Sequence, residues 1–354
     1  MRLDEALGLI RPVDENIAEA ARQRWLTVAK PLFSLGRLEE LVTQIAAVSG
    51  DVNAPCDKKA LVIMCADNGV VDEGVTQCGR DITAMVTENF TKRAASVCIM
   101  AESAGCDLFP VDIGVEKDVD GVTVRSEKVM CGTNNMVKGP AMTREEAIRA
   151  VEVGINKAAE LKTAGYELIA TGEMGIGNTT TTAAVLSVLL REKPERVTGR
   201  GAGLSGEGMK RKLASVKRAI EINRPDPDDI MDVLSKVGGL DIAGLCGVFL
   251  GGAAVHVPVI IDGVISAAAA LCAYRLCNNA LGYMIPSHSS KEPAFSLAMD
   301  ALGLEPYINC GMFLGEGSGA VALMPLIDMA APVYGPLASF RTRDREANNT
   351  PPQG

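Results

Sequence analysis

An α/β fold built on a parallel sheet is what this sequence predicts, and three observations carry the prediction. From Ala60 onward, apolar runs of roughly ten residues or fewer alternate with longer Ala-rich stretches of helical character, the order expected of strands joined by helical crossovers. Five acids, Asp67, Asp112, Glu173, Asp262 and Glu316, fall at or near the carboxyl ends of those runs. Two glycine-rich loops, at residues 171–182 and 315–320, each follow one of the runs. Ligands of open parallel sheets collect at the carboxyl edge of the strands, so the five acids are expected to surround one crevice.

Taken in order, residues 3–50 read as helical, because Ile17, Ala20, Trp25 and Leu26, then Leu38, Leu41, Ile45 and Val48, recur at helix-like intervals. The expected strands are residues 61–64, 108–111, 167–170, 255–261, 283–285 and 308–313. Residues 242–270 are apolar enough to raise a membrane segment, yet His256, Pro258 and Asp262 interrupt them and divide the stretch into helix, strand and helix. At 354 residues the chain exceeds the usual size of one compact domain, but no Pro/Gly/Ser-rich or charged linker cuts it internally. One large unit with a small appendage is expected. The tail from Arg341 onward is polar and expected to be mobile.

The loop Thr171-Gly172-Glu173-Met174-Gly175-Ile176-Gly177-Asn178-Thr179-Thr180 follows the apolar run Leu168-Ile169-Ala170 and opens into Ala183-Ala184-Val185-Leu186. That order reads as strand, glycine turn, helix. A helix N-terminus offers unpaired amides and a positive dipole end, so such a loop can hold a phosphate or carboxylate. The second loop, Gly315-Glu316-Gly317-Ser318-Gly319-Ala320, repeats the theme with one glutamate between glycines. A lone glutamate of that kind is often no more than a solvated loop residue. Two such loops in one chain make that bland reading weaker.

Composition narrows the function classes. The net charge of −9 disfavours nucleic acid or an anionic membrane as partner, so an anionic substrate must be held by local donors. The ten cysteines are scattered without a C-x-x-C pair and several lie in apolar runs, which fits reduced, buried thiols and a cytoplasmic location. Two histidines and no clustered ligand spacing argue against a zinc site, a carboxylate-bound cation stays open, and no cofactor is expected. Residues 1–5 lack the basic-then-apolar pattern of a secretion signal.

Further ordered motifs accompany the loops: Lys30-Pro31, Ser34-Leu35-Gly36-Arg37-Leu38-Glu39, Ala66-Asp67 with Gly69-Val70-Val71, Val111-Asp112-Ile113-Gly114-Val115, Gly201 with Gly203-Leu204 and Arg211-Lys212, Ile261-Asp262-Gly263, and Ser287-His288 with Ser290 and Glu292-Pro293. In these and in the two loops the chain resembles, over most of its length, the nicotinate-nucleotide–dimethylbenzimidazole phosphoribosyltransferases, which make the lower-ligand nucleotide of cobalamin. The resemblance implies a Rossmann-like parallel sheet flanked by helices, with a small helical domain from the chain ends. Residues 1–50 would join that small domain, 51–330 would form the large catalytic domain, and 331–354 would be the C-terminal segment and tail. It also implies transfer of ribose phosphate from nicotinate mononucleotide to an aromatic base, and a homodimer, with a heterodimer of paralogues as the alternative.

By the same resemblance Glu316 matches the general base and Glu173 a second active-site glutamate. Gly175, Gly177, Asn178, Thr179, Thr180, Gly201, Lys212, Ser290, Gly315 and Gly317 match nucleotide contacts. The bland readings stand beside these. Asn178, Thr179 and Thr180 would serve equally as helix caps, Lys212 as part of a solvated Lys210-Arg211-Lys212 face, and His288 and His256, the latter expected within a strand, as structural histidines.

The chain departs from the family at Asn68, where relatives often carry histidine, at Phe33 and at Ala294-Phe295. It departs too at Cys78 and Val86, where serine and glutamine occur in well-known members. Loss of two polar groups implies a more apolar pocket for the acceptor base, so a phenol or a purine is an alternative acceptor, and a weakly active subunit of a paralogous pair is an alternative role. Three motifs mislead. Gly201-Ala202-Gly203-Leu204-Ser205-Gly206 spells G-x-G-x-x-G but follows a charged stretch instead of a strand, Val259-Ile260-Ile261-Asp262 lacks the second acid of a pyrophosphate-sugar loop, and no P-loop motif is present.

Overall fold

The computed structural model describes residues 1–119, 127–201 and 203–335. Five parallel strands, β1 (Lys59–Ala66), β2 (Cys106–Gly114), β3 (Leu168–Met174), β4 (Val259–Ile261) and β5 (Met284–Pro286), form one sheet in the order β2-β1-β3-β4-β5. All eight residues of β1 and all seven of β3 are buried, as strands covered by helices on both faces must be, which is why they read as unbroken apolar runs. Pro110 lies in β2, an edge strand, the place in a sheet where a residue without N–H is tolerated. The strand order reverses between β1 and β3, and that is where an open α/β sheet leaves a crevice at its carboxyl edge.

Fourteen α-helices are described, besides short 3-10 helices at Gly69–Glu73 and Asn278–Tyr283. The first three, α1 (Leu3–Leu9), α2 (Glu15–Trp25) and α3 (Arg37–Ser49), come from the N-terminal stretch expected to be helical. Then follow α4 (Asp81–Thr91), α5 (Ser96–Ser103), α6 (Arg144–Thr163), α7 (Asn178–Leu189), α8 (Pro194–Val197), α9 (Gly206–Asn223) and α10 (Ile230–Val237). The last four are α11 (Leu240–Ala254), α12 (Val264–Leu276), α13 (Pro293–Leu302) and α14 (Ser318–Tyr334). Two apolar cores result. One joins α6, α7, α11 and α12 to one set of strand residues, Val62, Met64 and Ile169 among them. The other joins α2, α3, α5 and α14 to Leu61, Ile63 and Ala170. Alternate side chains of each strand thus face opposite layers. α2 meets α14 in the second layer, where the Trp25 and Tyr334 rings lie 4.8 Å apart and Arg24 stacks on Tyr334.

The tightest seam is α6 against α11, where a side-chain carbon at Gly154 or Gly247 would collide with the facing helix backbone. Residues 242–270 divide as expected into helix, strand and helix, and no described helix is long and apolar enough to cross a membrane. Two strand expectations need correction. Of residues 255–261 only Val259–Ile261 are strand, because α11 runs to Ala254 and His256 turns the chain with φ +57°. His256 is therefore a turn residue, bonded to Tyr283 Oη at 3.1 Å. Residues 308–313 are no strand: Ile308 makes a single bridge to His288, and beyond it Gly311 takes φ +64° while Asn309, Cys310 and Phe313 stay exposed. The tail from Arg341, expected to be mobile, lies outside the described residues.

Candidate active site

Both glycine loops end in helices whose N-caps are glycines in the left-handed region, Gly177 at φ 95° for α7 and Gly317 at φ 89° for α14. Only glycine takes that conformation without strain. Glu316 takes it too, at φ +61°, a conformation that costs a non-glycine residue about 1 kcal/mol or more unless its surroundings impose it. Asp262, just past β4, imposes it. Its Oδ1 accepts the amides of Gly319 at 2.7 Å and Ala320 at 3.0 Å, and its Oδ2 accepts that of Gly317 at 3.2 Å. Behind Glu316 the backbone lies so close to Gly172 of β3 that no side chain fits there.

Glu173 is the penultimate residue of β3, and its carboxylate rests against Gly315, so the two loops touch. Burial, together with Asp241, Asp262 and Glu316 nearby, pushes the Glu173 carboxyl well above its usual range, while Asn178 Nδ2 donates to it. Glu316 is also pushed up, by burial first and by Asp262, with the Val97 amide pulling it down. Its Oε2 has no hydrogen-bond partner among the described residues. Asp262 and His288 lie against each other. Burial raises the acid and lowers the imidazole, and each opposes the other's shift.

Two adjoining cavities open at this edge. The first, of about 180 Å³, is lined by Glu173, Asp262, His288, Ser290, Leu314 and Glu316, with Gly315 and Phe313 among its other walls. The second, of about 130 Å³, is lined by Gln77, Cys78, Gly177, Arg200, Leu204 and Lys212. They share a wall made by Gly175, Ile176, Asn178, Thr179 and Gly201. One cavity therefore gathers carboxylates and the other cations. A larger space of about 680 Å³ lies among α2 and α3 and holds none of the loop residues.

Lys212 shows how a run of three cations resolves on a helix. Lys210 pairs with Glu207 on the surface, Arg211 Nε donates to Gly74 O at 3.0 Å, and Lys212 turns inward, 1% exposed. Its Nζ donates to Thr179 Oγ1 at 2.7 Å and Gly199 O at 2.9 Å. Burial lowers its pKa to about 8, against the pull of Glu292. Glu292 Oε1 in turn accepts the Gly201 amide at 2.9 Å. That amide is thus engaged within the protein.

The remaining expected residues divide. Ser290 lines the first cavity and accepts a bond from the Glu292 amide at 3.4 Å. Thr180 lines neither cavity and its buried Oγ1 has no partner among the described residues, and Gly317 is packed against Leu61 and Thr171 behind the loop. Val86 sits on α4 against the second core and lines neither cavity, whereas exposed Cys78 lines the cavity that holds Lys212. Of the five acids expected around one crevice, Glu173, Asp262 and Glu316 line the first cavity. Asp67 and Asp112 instead hold the neighbouring loop, accepting the Glu116 and Val115 amides at 2.8 Å each, with Lys128 3.1 Å from Asp112. Sequence reasoning missed Asp241, buried in the first turn of α11 and bonded to Asn178, and Arg200 and Glu292, which flank the loop at Gly201.

A family described as phosphoribosyltransferase matches residues 10–343. A nicotinate-nucleotide–dimethylbenzimidazole phosphoribosyltransferase from Acetivibrio thermocellus is 50% identical over 338 residues, 96% of each chain. The chain belongs to that family. A phosphoribosyltransferase of the same name from Clostridium tetani is 45% identical over 93% of this chain and 91% of its own length. The CobT crystal structure from Thermus thermophilus superposes with a TM-score of 0.86 at 37% identity, covering 90% of this chain and 96% of that one. A phosphoribosyltransferase needs a grip on a phosphate and a polar surround for a sugar carbon that gains positive charge. The cationic and anionic cavities, joined by one wall, can supply the two.

Proposed function

We propose that this phosphoribosyltransferase moves the ribose phosphate of nicotinate mononucleotide to a benzimidazole-like base, giving an α-ribotide for the nucleotide loop of cobalamin and releasing nicotinate. The observation that carries the reading is the joined pair of cavities, with Glu173 and Glu316 in one and Lys212 and Arg200 in the other. The phosphate sits by Lys212 and the first turn of α7, the sugar along the shared wall, and the bases beside the two glutamates. Glu316 takes the proton of the incoming ring nitrogen as that nitrogen bonds to the anomeric carbon. The bond to nicotinate breaks, and its electron pair neutralises the pyridinium. Glu316's unbonded oxygen and raised pKa suit a base, a role typically worth ~100 to 10,000-fold. Glu173 lies within the same cavity and steadies the cationic sugar or its hydroxyls.

The test is chromatographic: purified protein with nicotinate mononucleotide and, in turn, dimethylbenzimidazole, benzimidazole, adenine and para-cresol. A ribotide product and nicotinate in equal amounts are expected with the benzimidazoles. Turnover with none of the four would sink the assignment. A cytoplasmic homodimer is part of the same proposal, and light scattering of the purified chain reads its mass directly.

A further inference from the structure

Asp241 lines neither cavity, yet it is wholly buried beside their shared wall. It stands in the first turn of α11, with its Oδ1 accepting the Ile242 amide at 3.0 Å. Its Oδ2 accepts from Asn178 Nδ2 at 3.1 Å, and the same nitrogen donates to Glu173 Oε2. An amide nitrogen carries two protons, and the two carboxylates take both. That orientation gives Asp241, and Glu173 when ionised, a donor, whereas an oxygen in that place would leave Asp241 and the ionised Glu173 without one. Asn178 Oδ1 therefore points the other way. It makes no hydrogen bond to the described residues, and the residue, 6% exposed, lines both cavities. Asn178 forms part of the wall common to the two cavities.

We propose that Asp241 is a positioning residue that, together with Glu173, locks Asn178 so that a lone acceptor, Oδ1, meets the substrate and reads a hydroxyl of its sugar. An acceptor repels phosphate oxygens and needs a donor. Between the phosphate and the base of a nucleotide, only the ribose hydroxyls donate. The helix N-terminus that looks from its sequence like a pure anion cradle thus has one residue of opposite preference in its first turn. The inference rests on nicotinate mononucleotide being the substrate.

Calorimetry separates the two. The ligands are nicotinate mononucleotide and its 2′-deoxy-2′-fluoro and 3′-deoxy-3′-fluoro analogues, since fluorine cannot donate. The wild type is expected to bind one of the fluoro analogues about five-fold more weakly than the parent, the size of one neutral hydrogen bond. In Asp241→Asn a single carbonyl oxygen cannot serve both Ile242 and Asn178. With that oxygen on Ile242, its NH₂ faces Asn178 and reverses the neighbouring amide, turning nitrogen to the cleft. The fluorine penalty should then fall to within about two-fold while circular dichroism stays unchanged. Should Asp241→Asn not fold, Asn178→Ala removes the acceptor outright and must abolish the same penalty. A penalty retained in either variant, or absent from a wild type that binds the parent, overturns the inference alone. A wild type that does not bind nicotinate mononucleotide overturns the function and the inference together.

Discussion

Helices α7 and α14 start from nearly the same sequence, Gly175-Ile176-Gly177-Asn178 and Gly315-Glu316-Gly317-Ser318, with glycine N-caps and no side-chain cap. They end up doing opposite things with their amides. At α14 the protein fills its own anion site, because Asp262 takes the amides of Gly317, Gly319 and Ala320. At α7 no carboxylate of the described residues takes the first-turn amides, Glu173 and Asp241 bonding the Asn178 side chain instead; Asn178 and Thr179 face the cleft, with Lys212 bonded to Thr179. A glycine-rich helix start can hold an anion; at α14 the protein supplies it through Asp262, and at α7 the proposed substrate phosphate would. In one case the arrangement positions a glutamate, and in the other it leaves room for a ligand.

That contrast can be broken at its closed end first. Asp262→Ala strips three buried amides and His288 of their partner, so a loss of about 4 kcal/mol in unfolding free energy is expected by denaturant titration, with activity partly restored by added formate. Unchanged stability would mean the amides do not need that carboxylate. Glu316→Gln keeps the closed loop and removes only basicity. Its kcat should fall by ~100-fold or more at unchanged melting temperature, and near-normal turnover would remove Glu316 from the chemistry.

The open end gives smaller effects. Lys212→Ala should raise KM for the nucleotide by ~10-fold or more and leave that for the base alone, since charged hydrogen bonds contribute about 1.5 to 3 kcal/mol. An equal rise in both constants would argue against a phosphate contact. The wild type offers the same test through pH, because burial holds Lys212 at about 8. As the pH climbs through that value the ammonium is lost, and KM for the nucleotide should rise. The sign of the stability effect is opposite. A lysine with a lowered folded pKa carries its full burial cost below about 8 and sheds it as pH rises toward its unfolded value, so a rising KM there does not report unfolding through this group. The smallest effect is expected of Val86→Gln, which lies away from both cavities and should leave the preference among benzimidazoles within about two-fold. A larger change would show that α4 reaches the base after all.

The parallel sheet was legible because strands buried on both faces have no polar side, so β1 and β3 stand out as apolar runs even without alternation. β4 and β5 are three residues each, too short to carry a pattern, and the turn at His256 hides where β4 begins. Residues 308–313 imitate a strand for a physical reason. Their apolar side chains serve other ends than a sheet: Ile308 packs against the second core, and Phe313 lines the first cavity while 59% exposed. Both glutamates could be found from their loops. Asp241 could not, because an acid in the first turn of a helix looks like any partner of the helix dipole until the fold sets Asn178 against it.

The left-handed backbone at Glu316 has a consequence for how this chain can drift. Glycine fits that conformation better than any residue with a side chain, so Glu316→Gly should leave the folded protein as stable or more stable, by about 1 kcal/mol. Stability therefore gives this position no protection, since the fold itself favours the glycine. A glutamate can persist there only while its carboxylate is in use, so a copy of the gene released from its reaction would be expected to lose this side chain early and remain a well-folded protein.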